Sequence, residues 1–128
     1  MNRYEYADIM IGHTETFTVM ITDKIMSDFC NITGDSNPAH TEGKLAYGML
    51  TASFISTLAG MYLPGEHSLI HKIEAEFPAP VYAGDTLVFT GEVVKKDDNF
   101  KTIELKVAAR NNSGKKVFRG KMRIGVLK

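Results

Sequence analysis

Asp35 and His40 stand five positions apart in the stretch Thr33-Gly34-Asp35-Ser36-Asn37-Pro38-Ala39-His40. A carboxylate held near an imidazole orients and charges it, and the two together can share one water or one substrate proton. Gly34, Asn37 and Pro38 each turn or break the backbone, so regular helix is not expected here. Both side chains are read as hanging from a shaped loop, where acid–base groups on rigid scaffolds tend to sit. An ordinary turn with a solvated histidine has the same composition, so the surrounding elements must decide.

Those elements read as one α+β domain spanning 1–128. Thr14 to Ile21 is strand-like, and Asp23 then serves as N-cap for a helix over Lys24 to Asn31. A second helix, roughly Ala46 to Leu63, is ended by Pro64-Gly65 and is apolar on every side, which implies that something wraps around it. From Leu69 to Phe77, the odd positions Leu69, Ile73, Ala75 and Phe77 alternate with Lys72, Glu74 and Glu76. That period of two marks a half-buried strand and puts His71 on the inward parity. Leu87 to Lys95, Ile103 to Ala109 and Phe118 to Val126 follow the same pattern. The turns Asp97-Asp98-Asn99 and Asn111-Asn112-Ser113-Gly114 join them into a meander. An antiparallel sheet wrapped around the apolar helix is the expected architecture.

Composition removes several function classes. Fifteen Lys and Arg balance fifteen Asp and Glu, so there is no basic excess for general nucleic-acid binding. The basic residues near the end, Lys115 to Lys128, alternate as on the wet face of a strand. Cys30 is the single cysteine, which fits a reducing, cytoplasmic setting, and no apolar leader core opens the sequence. Leu45 to Gly65 lacks charge but carries Thr51, Ser53, Ser56 and Thr57, so it reads as a core helix and no membrane partner is expected. The four histidines and one cysteine show no metal-ligand spacing, and no metal is expected. There is no phosphate-binding glycine loop or nucleophile elbow.

Three stretches, in order, resemble the MaoC-like (R)-specific enoyl-thioester hydratases and dehydratases of the hotdog-fold superfamily. Ile32 to His40 is similar to the family's catalytic signature. Gly48-Met49-Leu50-Thr51-Ala52-Ser53-Phe54-Ile55-Ser56 is similar to the start of its central helix. Phe77-Pro78-Ala79-Pro80-Val81-Tyr82-Ala83-Gly84-Asp85-Thr86-Leu87 supports the fold alone. The resemblance implies a lyase without cofactor, acting on acyl thioesters of coenzyme A or acyl carrier protein. Asp35 and His40 would be its catalytic pair, handling a water at C3 and a proton at C2. Gly48 matches the glycine whose N–H points at the thioester carbonyl, where an enolate-like charge develops. Ser56 matches a polar helix residue near the site, although a helix serine more often bonds its own backbone. Asn37 is a further substrate-side candidate and a turn former.

This chain departs from the family between the first two stretches. Only seven residues, Thr41 to Tyr47, separate His40 from Gly48. Family members usually have a longer connection there, with a His before the glycine where this chain has Tyr47. That puts chain-length preference and the placement of Asp35 and His40 in question. Two rival readings are a hotdog thioesterase, which usually wants a carboxylate on the central helix, and a non-catalytic acyl-thioester binder. A homodimer is expected, because a lone hotdog sheet leaves an edge strand unpaired.

Overall fold

In the computed structural model, which describes Met1–Lys128, the alternating segments form one five-stranded antiparallel sheet. Its strands are β1 (Thr14–Met20), β2 (Ser68–Glu76), β3 (Thr86–Asp97), β4 (Thr102–Arg110) and β5 (Lys116–Val126). They lie in the order β1-β3-β4-β5-β2, so the meander forms the centre and the two earlier strands form the edges. The turns behave as their residues demand. Asp97 Oδ1 accepts the N–H groups of Asn99 and Phe100, and Asn111 Oδ1 accepts those of Ser113 and Lys115.

One face of the sheet carries Leu87, Phe89, Val93, Ile103, Leu105, Met122 and Ile124, all fully buried. Helix α3 (Gly48–Thr57) lies across this face and contributes Leu50, Ile55 and the following Leu58 to the same core. Gly91 makes room for it: a Cβ there would sit 2.7 Å from Leu58 Cδ2. Full burial of each such side chain is worth about 1.5–3 kcal/mol, which gives the sheet the rigidity to carry loops.

Several local expectations are corrected. Helix α1 covers Asp23–Thr33, and its N-cap is Thr22, whose hydroxyl accepts the Ile25 N–H at 3.1 Å. Asp23 is therefore the first helical residue, where its charge suits the helix dipole. The helix outlasts Asn31 because the first residue able to stop it is Gly34, at φ 75°. The segment Pro38–Thr41 is a single helical turn, α2, with Asn37 as N-cap and Pro38 at its first position. His40 thus sits on a helical turn and not on an open loop.

The central helix begins at Gly48 rather than Ala46, since Ala46 N–H is bonded to Val81 O and Leu45 bridges Tyr82. It continues beyond Thr57 as a π-helical turn, Leu58–Tyr62. The sheet wraps its inner side as expected, while on one flank Met49 is 64% exposed and Ser53 and Ser56 face solvent. Finally, β2 shifts register between Ile70 and Lys72. Ile70 and Ile73 pair with the inward Ile124 and Met122, while Leu69 pairs with Gly125. His71 consequently lies over Gly125, where an added Cβ would meet its Nε2 at 2.8 Å, on the outer face. An extra residue in one strand inverts the parity on its far side, which a strict period of two cannot show.

Candidate active site

Asp35 emerges where α1 ends. Its backbone N–H donates to Thr33 Oγ1 at 3.2 Å, and its Oδ1 accepts the Asn37 N–H at 3.2 Å. Its other oxygen, Oδ2, lies 4.0 Å from His40 Nε2. That separation is too long for a direct hydrogen bond but suits a bridging water.

The far side of the imidazole is anchored. His40 Nδ1 lies 2.6 Å from the Leu45 carbonyl, which can only accept, so Nδ1 carries the proton. In the neutral ring the lone pair is then on Nε2, the nitrogen nearer Asp35. The two side chains differ in exposure, 16% for His40 and 49% for Asp35, so the imidazole is the sheltered partner.

Tyr47 packs on the pair from below. Its ring stacks on that of His40 at 4.0 Å and 26°, and its hydroxyl donates to the Asp35 carbonyl at 2.8 Å. Phe29 backs it at 4.9 Å. Its phenol is pushed up to about 12, first by burial, then by the Cys30 thiol and the Asp35 charge. Tyr6 is likewise raised to about 12, by burial and by its 2.6 Å bond to Asp98. A raised phenol pKa means the folded state prefers the neutral form. This stabilisation is complete below the ordinary value of 10.0 and disappears as pH rises through about 12. An ultraviolet titration should therefore contain a tyrosinate step near 12 that Tyr6→Phe and Tyr47→Phe each diminish.

Asp35, His40, Tyr47 and Gly48 line one open cavity of about 260 Å³, with Phe29, Thr33 and Met49. Gly48 is the first residue of α3, and no side chain caps that helix end. First-turn N–H groups have no partner inside a helix, so they remain available to an oxygen in the cavity. A Cβ on Gly48 would meet only the Phe77 ring, at an ordinary 3.6 Å, so packing within this chain does not require glycine. An apolar trough of about 330 Å³ adjoins the other side of Gly48, between Thr51, Phe77 and Val117.

Asn37 and Ser56 do not line this cavity. Asn37 Oδ1 accepts the Ala39 N–H at 2.9 Å, which makes it the cap of α2. Ser56 lies further along α3 on its exposed flank. Sequence reasoning missed the Leu45 carbonyl, which has no signature because any residue supplies one. Tyr47 was visible only as a departure from the family pattern. A groove of similar volume on the outer face of the sheet lies among Lys106, Lys116 and Arg119. It holds no histidine, and Arg119 is engaged by Glu76 at 2.7 Å. No group of three or more His, Cys, Asp or Glu is placed to hold a metal ion. No helix is long and apolar enough to cross a membrane.

The family model described as MaoC like domain matches residues 11–115. An (R)-specific enoyl-CoA hydratase from Rhodospirillum rubrum is 32% identical over 95 residues, which is 66% of either protein. A 3-hydroxybutyryl-CoA dehydratase from Methylorubrum extorquens is 31% identical over 100 residues, 70% of this chain and 64% of that protein. The chain thus aligns with slightly less than two thirds of either relative's length. Among solved structures, the unliganded R-hydratase PhaJ1 from Pseudomonas aeruginosa superposes with a TM-score of 0.91 at 26% identity, covering 95% of this chain and 84% of that one. The sheet and central helix are those of a hotdog fold. With the family match running from β1 to β4 and taking in the central helix and the Asp35–His40 segment, this chain belongs to the MaoC-like domain family.

Proposed function

We propose that the protein is an (R)-specific hydratase or dehydratase acting on enoyl and 3-hydroxyacyl thioesters of coenzyme A or acyl carrier protein. One observation carries this reading: a carboxylate, an oriented imidazole and the open N-terminus of a helix converge on one cavity. A water between Asp35 Oδ2 and His40 Nε2 adds its oxygen to C3. The pair takes one proton from that water and returns it to C2. The negative charge that builds on the thioester oxygen meets the N–H groups at the start of α3, beginning with Gly48. Dehydration runs the same steps backward. The two relatives named as enzymes of this kind support the reading. A thioesterase is disfavoured because α3 carries no carboxylate.

The test is to mix the pure protein with crotonyl-coenzyme A and follow loss of the conjugated enoyl absorbance, with chiral analysis of the product. Rapid loss giving (R)-3-hydroxybutyryl-coenzyme A is expected. No loss with crotonyl, hexenoyl or carrier-protein substrates defeats the proposal.

The proposal includes a homodimer in a reducing cytoplasm. Strand β2 is an edge whose flanking side chains stay open, with Leu69 50% and Ile73 46% exposed, and Met49 bares the adjacent flank of α3. A second copy that pairs along β2 removes both liabilities. Light scattering should give twice 14.2 kDa for the wild type and a shift toward monomer for Ile73→Lys. A monodisperse wild-type monomer rules the dimer out.

A further inference from the structure

We propose that Tyr47 is a positioning residue for the acid–base pair: its ring fixes the plane of His40 while its hydroxyl fixes the backbone of Asp35. The role rests on the hydratase reading of the cavity and extends it to a side chain that the family pattern does not predict.

The short connection before α3 makes the arrangement possible. It is pinned near its start by Glu42 N–H to Pro38 O at 2.9 Å and near its end by Leu45 N–H to Ala39 O at 3.1 Å and Ala46 N–H to Val81 O at 2.8 Å. Pinned in this way, it delivers two restraints to one imidazole. The Leu45 carbonyl holds Nδ1 at the ring edge, and Tyr47 covers a ring face at 4.0 Å. An imidazole held at its edge and on its face has little freedom to swing Nε2 away from Asp35.

The same tyrosine reaches the carboxylate's own residue, since its hydroxyl donates to the Asp35 carbonyl at 2.8 Å. Asp35 then has its carbonyl and Oδ1 both engaged, leaving Oδ2 as the oxygen facing His40. Tyr47 is also the N-cap residue of α3, and its own carbonyl accepts the Thr51 N–H at 3.1 Å. One residue therefore ties the pair to the helix end that would receive the thioester oxygen. Only 4% of Tyr47 is exposed, and its raised pKa keeps the hydroxyl a donor. The constraint is valuable because a displacement near 1 Å in such a site costs about a hundredfold in rate.

Tyr47→Phe keeps the stack and removes the hydroxyl bond, while Tyr47→Leu removes both. The first readout needs no substrate. Nitrogen-15 NMR of the imidazole in the ligand-free protein should show the wild-type His40 protonated on Nδ1. Tyr47→Leu should show a tautomer mixture closer to that of free histidine. The second readout is turnover of crotonyl-coenzyme A. The kcat should fall about tenfold in Tyr47→Phe and about a hundredfold in Tyr47→Leu, with KM held within about twofold. Circular dichroism confirms that each variant is folded. Should Tyr47→Leu not fold, Tyr47→Phe decides alone: a kcat about tenfold lower at unchanged KM upholds the role, and a kcat within about twofold of wild type overturns it.

An unchanged His40 tautomer with kcat within about twofold of wild type overturns the role. In Tyr47→Leu, a fall in kcat with an unchanged tautomer and pH–rate profile also overturns it, because that pattern belongs to packing alone. If the wild type hydrates no enoyl thioester, the NMR comparison still decides the positioning role. A tautomer change then upholds it while the hydratase reading fails, and no change overturns it.

Discussion

Asp35→Asn and His40→Ala should each lower the rate of crotonyl-coenzyme A hydration by about a hundredfold to ten-thousandfold. The asparagine keeps an oxygen to accept the Asn37 N–H, which now fixes that side chain at 3.2 Å, so the segment keeps its shape. What it loses is the charge facing His40 Nε2. The alanine removes Nε2 itself and leaves the Leu45 carbonyl without its 2.6 Å partner, at a stability cost of about 1 kcal/mol. The double variant should be little slower than the slower single one, because groups that act on the same water fail together. Enoyl absorbance and melting curves on the same samples separate lost chemistry from lost structure. Either variant retaining more than about a tenth of wild-type activity would remove its residue from the proposed pair.

The largest stability effect should come from Phe89→Ala, at about 3–5 kcal/mol. Phe89 is fully buried on β3, with ring centroids 5.3 Å from Phe17, 6.0 Å from Phe54 and 6.2 Å from Phe118. Those neighbours come from β1, α3 and β5, so no single element can move in to refill the space. Thermal unfolding should shift down by roughly 10–20 °C. The adjacent Val88 points outward and is 39% exposed, and Val88→Ala should stay within about 0.5 kcal/mol of wild type. Equal effects at the two positions would contradict the assignment of the sheet's inner face. At temperatures where Phe89→Ala remains folded, its kcat should match the wild type, since Phe89 does not line the cavity of Asp35 and His40.

Alternation along Ile103 to Ala109 and Phe118 to Val126 was enough to place those strands and their buried face. Burial of alternate side chains is the property that selects such sequences, so pattern and structure coincide there. The same logic failed at His71 and Leu69. A bulge between Ile70 and Lys72 leaves no mark in hydrophobicity, and it reverses which face each residue takes. At the start of α1 the chemistry was right in kind but displaced by a residue. Thr22 and Asp23 are both good caps, and only the bond to the Ile25 N–H distinguishes them.

Asp35, His40 and Gly48 were legible as candidates because their residue types and order carry the chemistry. Their residue types alone do not place a carboxylate oxygen 4.0 Å from an imidazole nitrogen, nor turn both toward one helix end. Those distances depend on the Leu45 carbonyl, on Val81 O holding Ala46, and on the ring of Tyr47 beneath His40. Backbone groups look alike in every sequence, and a stacking partner is defined by where the chain returns in space. The sequence by itself therefore determined which groups are available and the sheet-and-helix frame that carries them. The tertiary structure alone decided their distances and orientations, because those arise from contacts between segments that the linear order keeps apart.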